Sequence, residues 1–186
     1  ADVVFTLDFN SLSRARNLSS LISSSTAMTI MIDHHENPDN YADLTISNSK
    51  MSSTCEMVYD FISSIDKSKI DNKIATCIYT GIVADTGSFR FPSTTSKTLK
   101  VGSELINYGV NVTEIFDKLH NNFQFKRLKL LGSAINNFKK IEGLPVAYTS
   151  ITDKDQKVND FKKGDSEGFV NFGLSVAEIL CSVLFI

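Results

Sequence analysis

Two short apolar runs near the start of the chain, with a helical repeat between them, constrain the fold more than any other feature. Residues 3–7 (VVFTL) and 28–32 (MTIMI) are rich in β-branched and large apolar side chains and predict buried strands. Leu12, Ala15 and Leu18 recur at every third position, which is helical spacing. A strand, a helix and a strand within about thirty residues predict two parallel strands joined by a right-handed crossover. The expected fold class is α/β, with a parallel sheet flanked by helices.

Further helices are predicted along the middle of the chain. Residues 53–56 (STCE) form a capping-box sequence ahead of an apolar stripe, and Asp71 can cap a second helix. Thr80–Asp85, at the end of that second segment, could also form a strand, and periodicity leaves both possibilities open. More helices are expected over roughly residues 96–107, 111–121 and 124–140.

A second domain is predicted after the last of these helices. Residues 143–145 (GLP) break the helical pattern, and the β-branched and aromatic run 146–151 predicts a strand. We therefore divide the chain into a first domain (1–110), a helical connector (111–142) and the beginning of a second, mixed α/β domain (143–186).

Charge and cysteine content limit the classes of partner. The net charge is −2 and the pI is near 5.9, whereas proteins that bind long duplex nucleic acid usually carry a basic excess. Cys55, Cys77 and Cys181 lack metal-ligand spacing and are interpreted as free, buried thiols of a cytoplasmic protein. The apolar stretch 174–186 has 13 residues, includes a glutamate and is too short to span a bilayer, so no membrane partner is expected.

Polar clusters follow the apolar runs. Asp8 follows the first strand, Asp33-His34-His35 follows the second, and Asp85 ends a third apolar run. In open α/β sheets, ligands bind beyond the carboxyl ends of parallel strands, so these clusters are expected to meet. Taken singly, Asp8 could be a helix N-cap and Asp85 part of an ordinary turn. The triplet is harder to explain structurally, because adjacent imidazoles and a carboxylate destabilise a fold unless they find partners.

Together these motifs resemble the DHH phosphoesterases, a family named for the Asp-His-His triplet, and are most similar to its bacterial nano-RNase and pAp-phosphatase branch. Asp8 with Arg14 resembles the family's second motif, residues 33–35 the third, and residues 79–90 (YTGIVADTGSFR) the fourth. Residues 163–171 (KGDSEGFVN) resemble the start of the family's DHH-associated C-terminal domain. The similarity covers most of the chain.

The resemblance implies a site and a reaction. It implies two divalent ions, usually Mn²⁺, with Mg²⁺ or Zn²⁺ also compatible with the ligands. Asp8, His34 and Asp85 would be metal ligands, with Asp8 shared by both ions. His35 would donate a hydrogen bond to a substrate phosphate, and Asp33 would orient a histidine or the loop, which makes these two the expected catalytic residues. Arg90 would contact the substrate's phosphate or, equally, be an ordinary surface arginine.

The implied substrates are very short RNAs and 3′-phosphoadenosine 5′-phosphate, hydrolysed by two-metal activation of water. Alternatives within the family are an exopolyphosphatase, a cyclic-dinucleotide phosphodiesterase or a RecJ-type single-strand exonuclease. An alternative of another class is a non-catalytic nucleotide-binding fragment. A homodimer is left open as the assembly.

Two motifs of the family are absent: the first motif, a histidine followed by an Asp-x-Asp pair, and a glycine-rich segment with a histidine near the family's C-terminus. No histidine precedes His34 and no Asp-x-Asp pair lies before it, and no histidine occurs after Ile151. Both ends of the sequence are apolar, which predicts a fragment cut at both ends. The chain as given is therefore expected to bind a single ion weakly and to show little turnover.

Overall fold

A parallel three-stranded sheet organises the first part of the structure, a computed structural model that describes residues 1–186. Its strands are β1 (Val3–Leu7), β2 (Met28–Asp33) and β3 (Leu44–Ser47), in the order β1-β2-β3. Val3 pairs with Met28 and Ile30 with Leu44, both in parallel register. The predicted α/β class and the parallel pairing of the first two strands are confirmed. The short β3 was not predicted, because four residues carry too little periodicity.

The connection between β1 and β2 is helical but not one helix. A 3-10 helix (Leu12–Leu18) runs into a short α1 (Ser19–Ser23). Arg16 has a φ of 50°, in the left-handed region, and kinks the segment. The predicted continuous helix is wrong at this kink, which the threefold apolar spacing cannot reveal.

Two longer helices follow, α2 (Thr54–Asp66) and α3 (Asn72–Asp85), joined by a 3-10 turn. The side chain of Asp71 accepts from the amide of Ile74, so α3 begins where the sequence predicts. Thr80–Asp85 is helical, which settles the ambiguity against a strand.

Only half of the predicted capping box forms at α2. The Ser53 side chain accepts from the amide of Glu56, as the sequence predicts. The Glu56 carboxylate is fully buried and instead accepts from the hydroxyls of Ser52 and Thr98. Glu56 therefore ties α2 to α4 (Ser96–Ile106) rather than closing its own cap.

The first part of the chain has two apolar cores. The sheet packs through Ile30 and Ile32 against Met57 of α2. A larger core joins α2, α3, α4 and α5 (Val112–His120) around Ile78, Ile82 and Leu105. The helices thus hold one another, and α2 attaches them to the sheet.

The second part of the chain contains α6 (Phe125–Asn136), α7 (Asp153–Val158) and α8 (Asn171–Leu174) with a small mixed sheet. Its strands are β4 (Lys139–Lys140), β5 (Val146–Ser150) and β6 (Cys181–Phe185). β5 pairs antiparallel with β4 and parallel with β6. The apolar core of this second part of the chain consists of Leu130, Ala134, Ile151 and Phe169.

The chain divides into two compact units, Ala1–Leu119 and His120–Ile186, and the predicted connector, residues 111–142, spans the division. No helix combines the length and apolar character needed to cross a bilayer.

The predicted burial of the cysteines is wrong for two of the three. All three are free thiols, but Cys77 and Cys181 are exposed and only Cys55 is half-buried. Cys77 occupies a solvent-facing position of α3 and Cys181 begins an edge strand, so apolar neighbours in the sequence were a poor guide to burial.

Candidate metal centre

Asp8 lies directly after β1, in a strained backbone conformation. Its φ is 66°, in the left-handed region that few non-glycine residues adopt. Its amide donates to the Ile32 carbonyl (3.2 Å), so the end of β1 stays attached to β2. Its carboxylate is about half exposed and accepts a hydrogen bond from the Thr54 hydroxyl (2.8 Å to Oδ1).

The Asp33-His34-His35 triplet separates into a buried carboxylate and two accessible rings. Asp33 is the last residue of β2 and is fully buried. Its Oδ2 accepts from the His35 amide (3.0 Å), and its Oδ1 lies 2.7 Å from His35 Nδ1. Since an ionised carboxylate can only accept, the proton is on Nδ1, and in the neutral ring of His35 the lone pair is then on Nε2. Asp33 thus orients the ring of His35 in the structure, while its catalytic role stays a prediction.

His34 is oriented by a backbone carbonyl. Its Nδ1 lies 3.3 Å from the carbonyl oxygen of Met51, which can only accept, so this nitrogen carries a proton. In the neutral ring, the lone pair is then on Nε2. That atom lies 3.7 Å from Asp8 Oδ1 and 3.9 Å from Asp85 Oδ2.

The carboxylate of Asp85 also lies near His34 Nε2, but Asp85 belongs to a helix rather than following a strand. It is the last residue of α3, where the helix dipole disfavours negative charge. The buried Thr86 stabilises the turn that follows, because its hydroxyl donates to the Ile82 carbonyl (2.6 Å) and accepts from the Phe89 amide (2.9 Å). The chain turns sharply after Asp85, where Gly87, Ser88 and Phe89 all have positive φ.

The electrostatics of this cluster favour a cation. Burial raises the pKa of Asp85, the negative charge of Asp8 raises it further, and His34 and His35 partly oppose the shift. Burial together with Asp85 and Asp8 also raises the pKa of the neighbouring Cys55 thiol to about 11. Carboxylates that disfavour one another's charge are stabilised when a divalent ion lies between them.

The donor atoms fit such an ion. Metal bonds to nitrogen and oxygen are about 2.0–2.2 Å long, so two ligands of one ion lie about 3–4 Å apart. The separations of 3.7 and 3.9 Å around His34 Nε2 agree with this spacing. Ligand atoms of Asp8, His34 and His35 also lie within 4.8 Å of one another. The two groupings differ in their third member: the ligand atom of His35 lies within 4.8 Å of both others, whereas Asp85 Oδ2 lies 3.9 Å from His34 Nε2, and Asp85 as the third ligand stays a prediction. Oxygen donors with imidazole suit Mn²⁺ or Mg²⁺ and also Zn²⁺.

Most of the residues singled out by sequence meet here, but Arg90 makes its contact elsewhere. Asp8, His34 and Asp85 converge, with Asp33 and His35 beside them. The guanidinium of Arg90 is exposed and lies over the ring of Phe91, 5.6 Å from its centroid. Its substrate-binding role therefore stays a prediction.

Sequence reasoning missed two groups that shape the centre. The Met51 carbonyl is a backbone atom, which no side-chain pattern reveals. Thr54 was interpreted only as part of a capping sequence, whereas its hydroxyl contacts Asp8 46 residues away. A contact of that sequence separation has no local signature.

Comparison with known proteins shows that the part of the chain carrying Asp8 and the Asp-His-His triplet is similar to one family. The sequence model of the DHH family, N-terminal domain, matches residues 2–82. The bifunctional oligoribonuclease and PAP phosphatase NrnA of Bacillus subtilis is 41% identical over 115 residues, which are 61% of this chain and 36% of that protein. The protein of the same name from Thermus thermophilus is 39% identical over 90 residues, 48% of this chain and 28% of its own length.

Solved structures agree on the fold. The crystal structure of an exopolyphosphatase-related protein from Bacteroides fragilis superposes with a TM-score of 0.93 at 38% identity, covering 96% of this chain and 53% of that one. A putative family II inorganic pyrophosphatase from Methanococcus jannaschii, at 19% identity and a TM-score of 0.54, shares the fold alone. The chain thus spans about a third of the curated relatives and about half of the Bacteroides protein.

Proposed function

We propose that the protein is a metal-dependent phosphoesterase of the DHH family that hydrolyses short oligoribonucleotides and 3′-phosphoadenosine 5′-phosphate, which the similarity of residues 2–82 to that family's N-terminal domain supports. The observation that carries the proposal is the convergence of two carboxylates on one imidazole nitrogen, His34 Nε2. These side chains come from three separate elements, which a purely structural role would not require.

Each residue has a distinct part in the proposed mechanism. When bound, divalent ions would make a water acidic enough to ionise at neutral pH and would neutralise charge on the phosphoryl oxygens. His34 and Asp85 would hold one ion, and Asp8, with two carboxylate oxygens, would be shared with the second. His35, whose Nδ1–H is held by Asp33, would donate to a phosphate oxygen from Nε2 when both ring nitrogens carry a proton.

The choice of substrate rests on the relatives. The Bacillus and Thermus proteins are both named oligoribonucleases and PAP phosphatases. The second candidate, polyphosphate, is favoured by the name of the Bacteroides protein, which is exopolyphosphatase-related. Both substrates present a phosphoryl group to the same ligands, so the geometry of the cluster does not separate them.

Metal binding is tested by titrating the protein with Mn²⁺ and measuring its melting temperature and calorimetric affinity. The native protein should gain several degrees at saturation. Asp8→Asn, His34→Asn and Asp85→Asn should each lose most of this gain. Asp153→Asn, an exposed aspartate of α7, is the matched control and should respond as the native protein does. A native protein that does not respond to Mn²⁺ would contradict the proposal.

Substrate class is tested by product analysis. With Mn²⁺, the protein is incubated separately with an RNA dinucleotide, 3′-phosphoadenosine 5′-phosphate and tripolyphosphate. We expect nucleoside monophosphate from the dinucleotide, inorganic phosphate from 3′-phosphoadenosine 5′-phosphate and no phosphate from tripolyphosphate. Formation of both products should require Asp8. Phosphate from tripolyphosphate alone would favour the second candidate. Because little turnover is expected of the chain as given, the assay is run at saturating Mn²⁺ with protein in excess over substrate, and no product from any substrate under these conditions would refute the hydrolase.

A further inference from the structure

Thr54 stands out among the residues around the metal centre, because it is buried, lies on another element and contacts a proposed ligand directly. It is the first residue of α2 and only 4% exposed. Its Oγ1 lies 2.8 Å from Asp8 Oδ1. Since an ionised carboxylate can only accept, the hydroxyl donates this hydrogen bond.

The contact matters because Asp8 is otherwise poorly restrained. Its backbone is fixed by the amide bond to Ile32, but its carboxylate is 54% exposed and could rotate about the side-chain torsions. Thr54 is β-branched, and packing at the start of α2 restricts it further. The restricted hydroxyl of Thr54 therefore fixes the position of the flexible Asp8 carboxylate.

The same oxygen that accepts from Thr54 faces the metal ligand. Asp8 Oδ1 is the atom that lies 3.7 Å from His34 Nε2. One lone pair of Oδ1 is occupied by the hydroxyl, and a second is available toward His34. The contact also places the carboxylate near the N-terminal end of the 13-residue helix α2, where the helix dipole favours negative charge.

We propose that Thr54 is a positioning residue of the metal centre, whose hydroxyl holds the Asp8 carboxylate in the rotamer that binds the divalent cation. The proposal rests on the proposed metal site. Groups that orient metal ligands in this way typically contribute about 10–100-fold to metal affinity.

The first test is Mn²⁺ affinity, measured by calorimetry and by the electron paramagnetic resonance of free Mn²⁺. Thr54→Val keeps the shape and removes the donor, so Mn²⁺ should bind at least about tenfold more weakly. Thr54→Ser restores the donor and should recover affinity to within about threefold of the native value. Thr76→Val is the matched control, because the Thr76 hydroxyl bonds only a backbone carbonyl within α3, and it should bind normally.

The second test needs no metal. If the hydroxyl acts through Asp8, Thr54→Val should lower the melting temperature less in an Asp8→Ala background than in the native one. Equal losses in both backgrounds would mean a merely structural threonine and would overturn the proposal. If Thr54→Val fails to fold, the same double-mutant cycle is measured with Thr54→Ala.

The outcomes separate this inference from the proposed function. If native protein binds Mn²⁺, Asp8→Asn does not, and Thr54→Val binds as tightly as native, the positioning role is wrong while the metal site stands. If the native protein does not bind Mn²⁺ at all, the metal site and the positioning role both fail.

Discussion

Asp85 shows, at the scale of single residues, how a binding site can oppose stability. Its carboxylate ends α3, against the unfavourable pole of the helix dipole, and faces Asp8 across His34. Burial and the charge of Asp8 both raise its pKa. An acid with a raised pKa in the folded state favours folding when protonated, and that contribution is lost as pH rises through the folded pKa. At neutral pH, the ionised Asp85 therefore destabilises the metal-free protein.

We accordingly predict that Asp85→Asn stabilises the metal-free protein while weakening Mn²⁺ binding. The gain in melting temperature at pH 7 should be modest, about 1–3 °C, because a third of the side chain is exposed and solvent screens the repulsion. The gain should shrink as pH falls through the folded pKa of Asp85, which lies above the ordinary value of 3.8, and should be gone below 3.8. Thermal unfolding in a chelator across this pH range measures it. A lower melting temperature for Asp85→Asn at pH 7 would contradict this prediction.

Gly81 is the second residue whose environment sets a sharp expectation. A Cβ built at Gly81 would lie 2.1 Å from the Sγ of Cys55, so α2 and α3 approach closely at this point. The same cysteine lies near the carboxylates of the metal centre, as the cause of its raised pKa indicates. The small residue therefore lets α3 bring Asp85 toward β2.

Gly81→Ala should destabilise the protein by about 1–3 kcal/mol, even though alanine is the better helix former. The double variant Gly81→Ala with Cys55→Ala should recover part of the loss, because Sγ is removed. Gly132→Ala is the control: nothing lies within 4 Å of a Cβ there, so it should be neutral or stabilising by up to about 1 kcal/mol. Urea unfolding of the variants provides the comparison. If Gly81→Ala behaves like Gly132→Ala, the close approach is not real.

At the scale of elements, the helices of the first unit are held together by a few polar contacts as well as by their apolar core. Tyr59 of α2 donates to the Glu104 carboxylate of α4, and Lys67 Nζ lies 2.5 Å from the same oxygen. The hydrogen bond from Lys67, followed by that from Tyr59, lowers the pKa of Glu104 from its ordinary value of 4.5. The contact joins the helix that carries Thr54 to its neighbour in the core.

The lowered pKa gives a pH signature. An acid with a lowered folded pKa contributes stability above its unfolded pKa, and this contribution is lost as pH falls through the folded value. Native protein should thus melt at a higher temperature than Glu104→Gln above pH 4.5, and the gap should close as pH falls further. Glu142→Gln, at an exposed loop position, should show no such gap. A gap that is constant with pH would mean that the charge of Glu104 is not responsible.

At the scale of the whole molecule, the proposed ligands and their supporting groups lie in one compact unit. Asp8, Thr54 and Asp85 all lie within Ala1–Leu119, as do the two apolar cores of the first part of the chain. The second unit has a core of its own around Phe169. The metal centre therefore depends on the first unit for its geometry.

This organisation predicts that residues 1–119 fold alone and retain the metal response. The fragment should unfold cooperatively, and its Mn²⁺ affinity should be within about threefold of that of the full chain, because additivity holds for distant, independent parts. Circular dichroism melting and calorimetric titration test both statements. An unfolded fragment, or one that folds but does not bind Mn²⁺, would show that the second unit is needed.

The parallel pairing of the first two strands could be predicted from local sequence patterns, as could the identity of the polar residues at their ends. Both follow from local patterns: apolar runs of strand length, and side chains placed where strands stop. The triplet at residues 33–35 and the aspartate at position 8 could be selected for this reason. The resemblance of four ordered motifs then joined them to Asp85.

How these residues are held in place depends on the packing of distant elements and could not be predicted from the sequence. Asp85 arrives on a helix whose sequence also allowed a strand, and Thr54 reaches Asp8 across 46 residues of chain. Neither position is set by local preference, because both depend on how α2 and α3 pack on the sheet and on each other. Local periodicity predicts which face of an element is buried, whereas the distance between side chains on different elements is a property of packing alone.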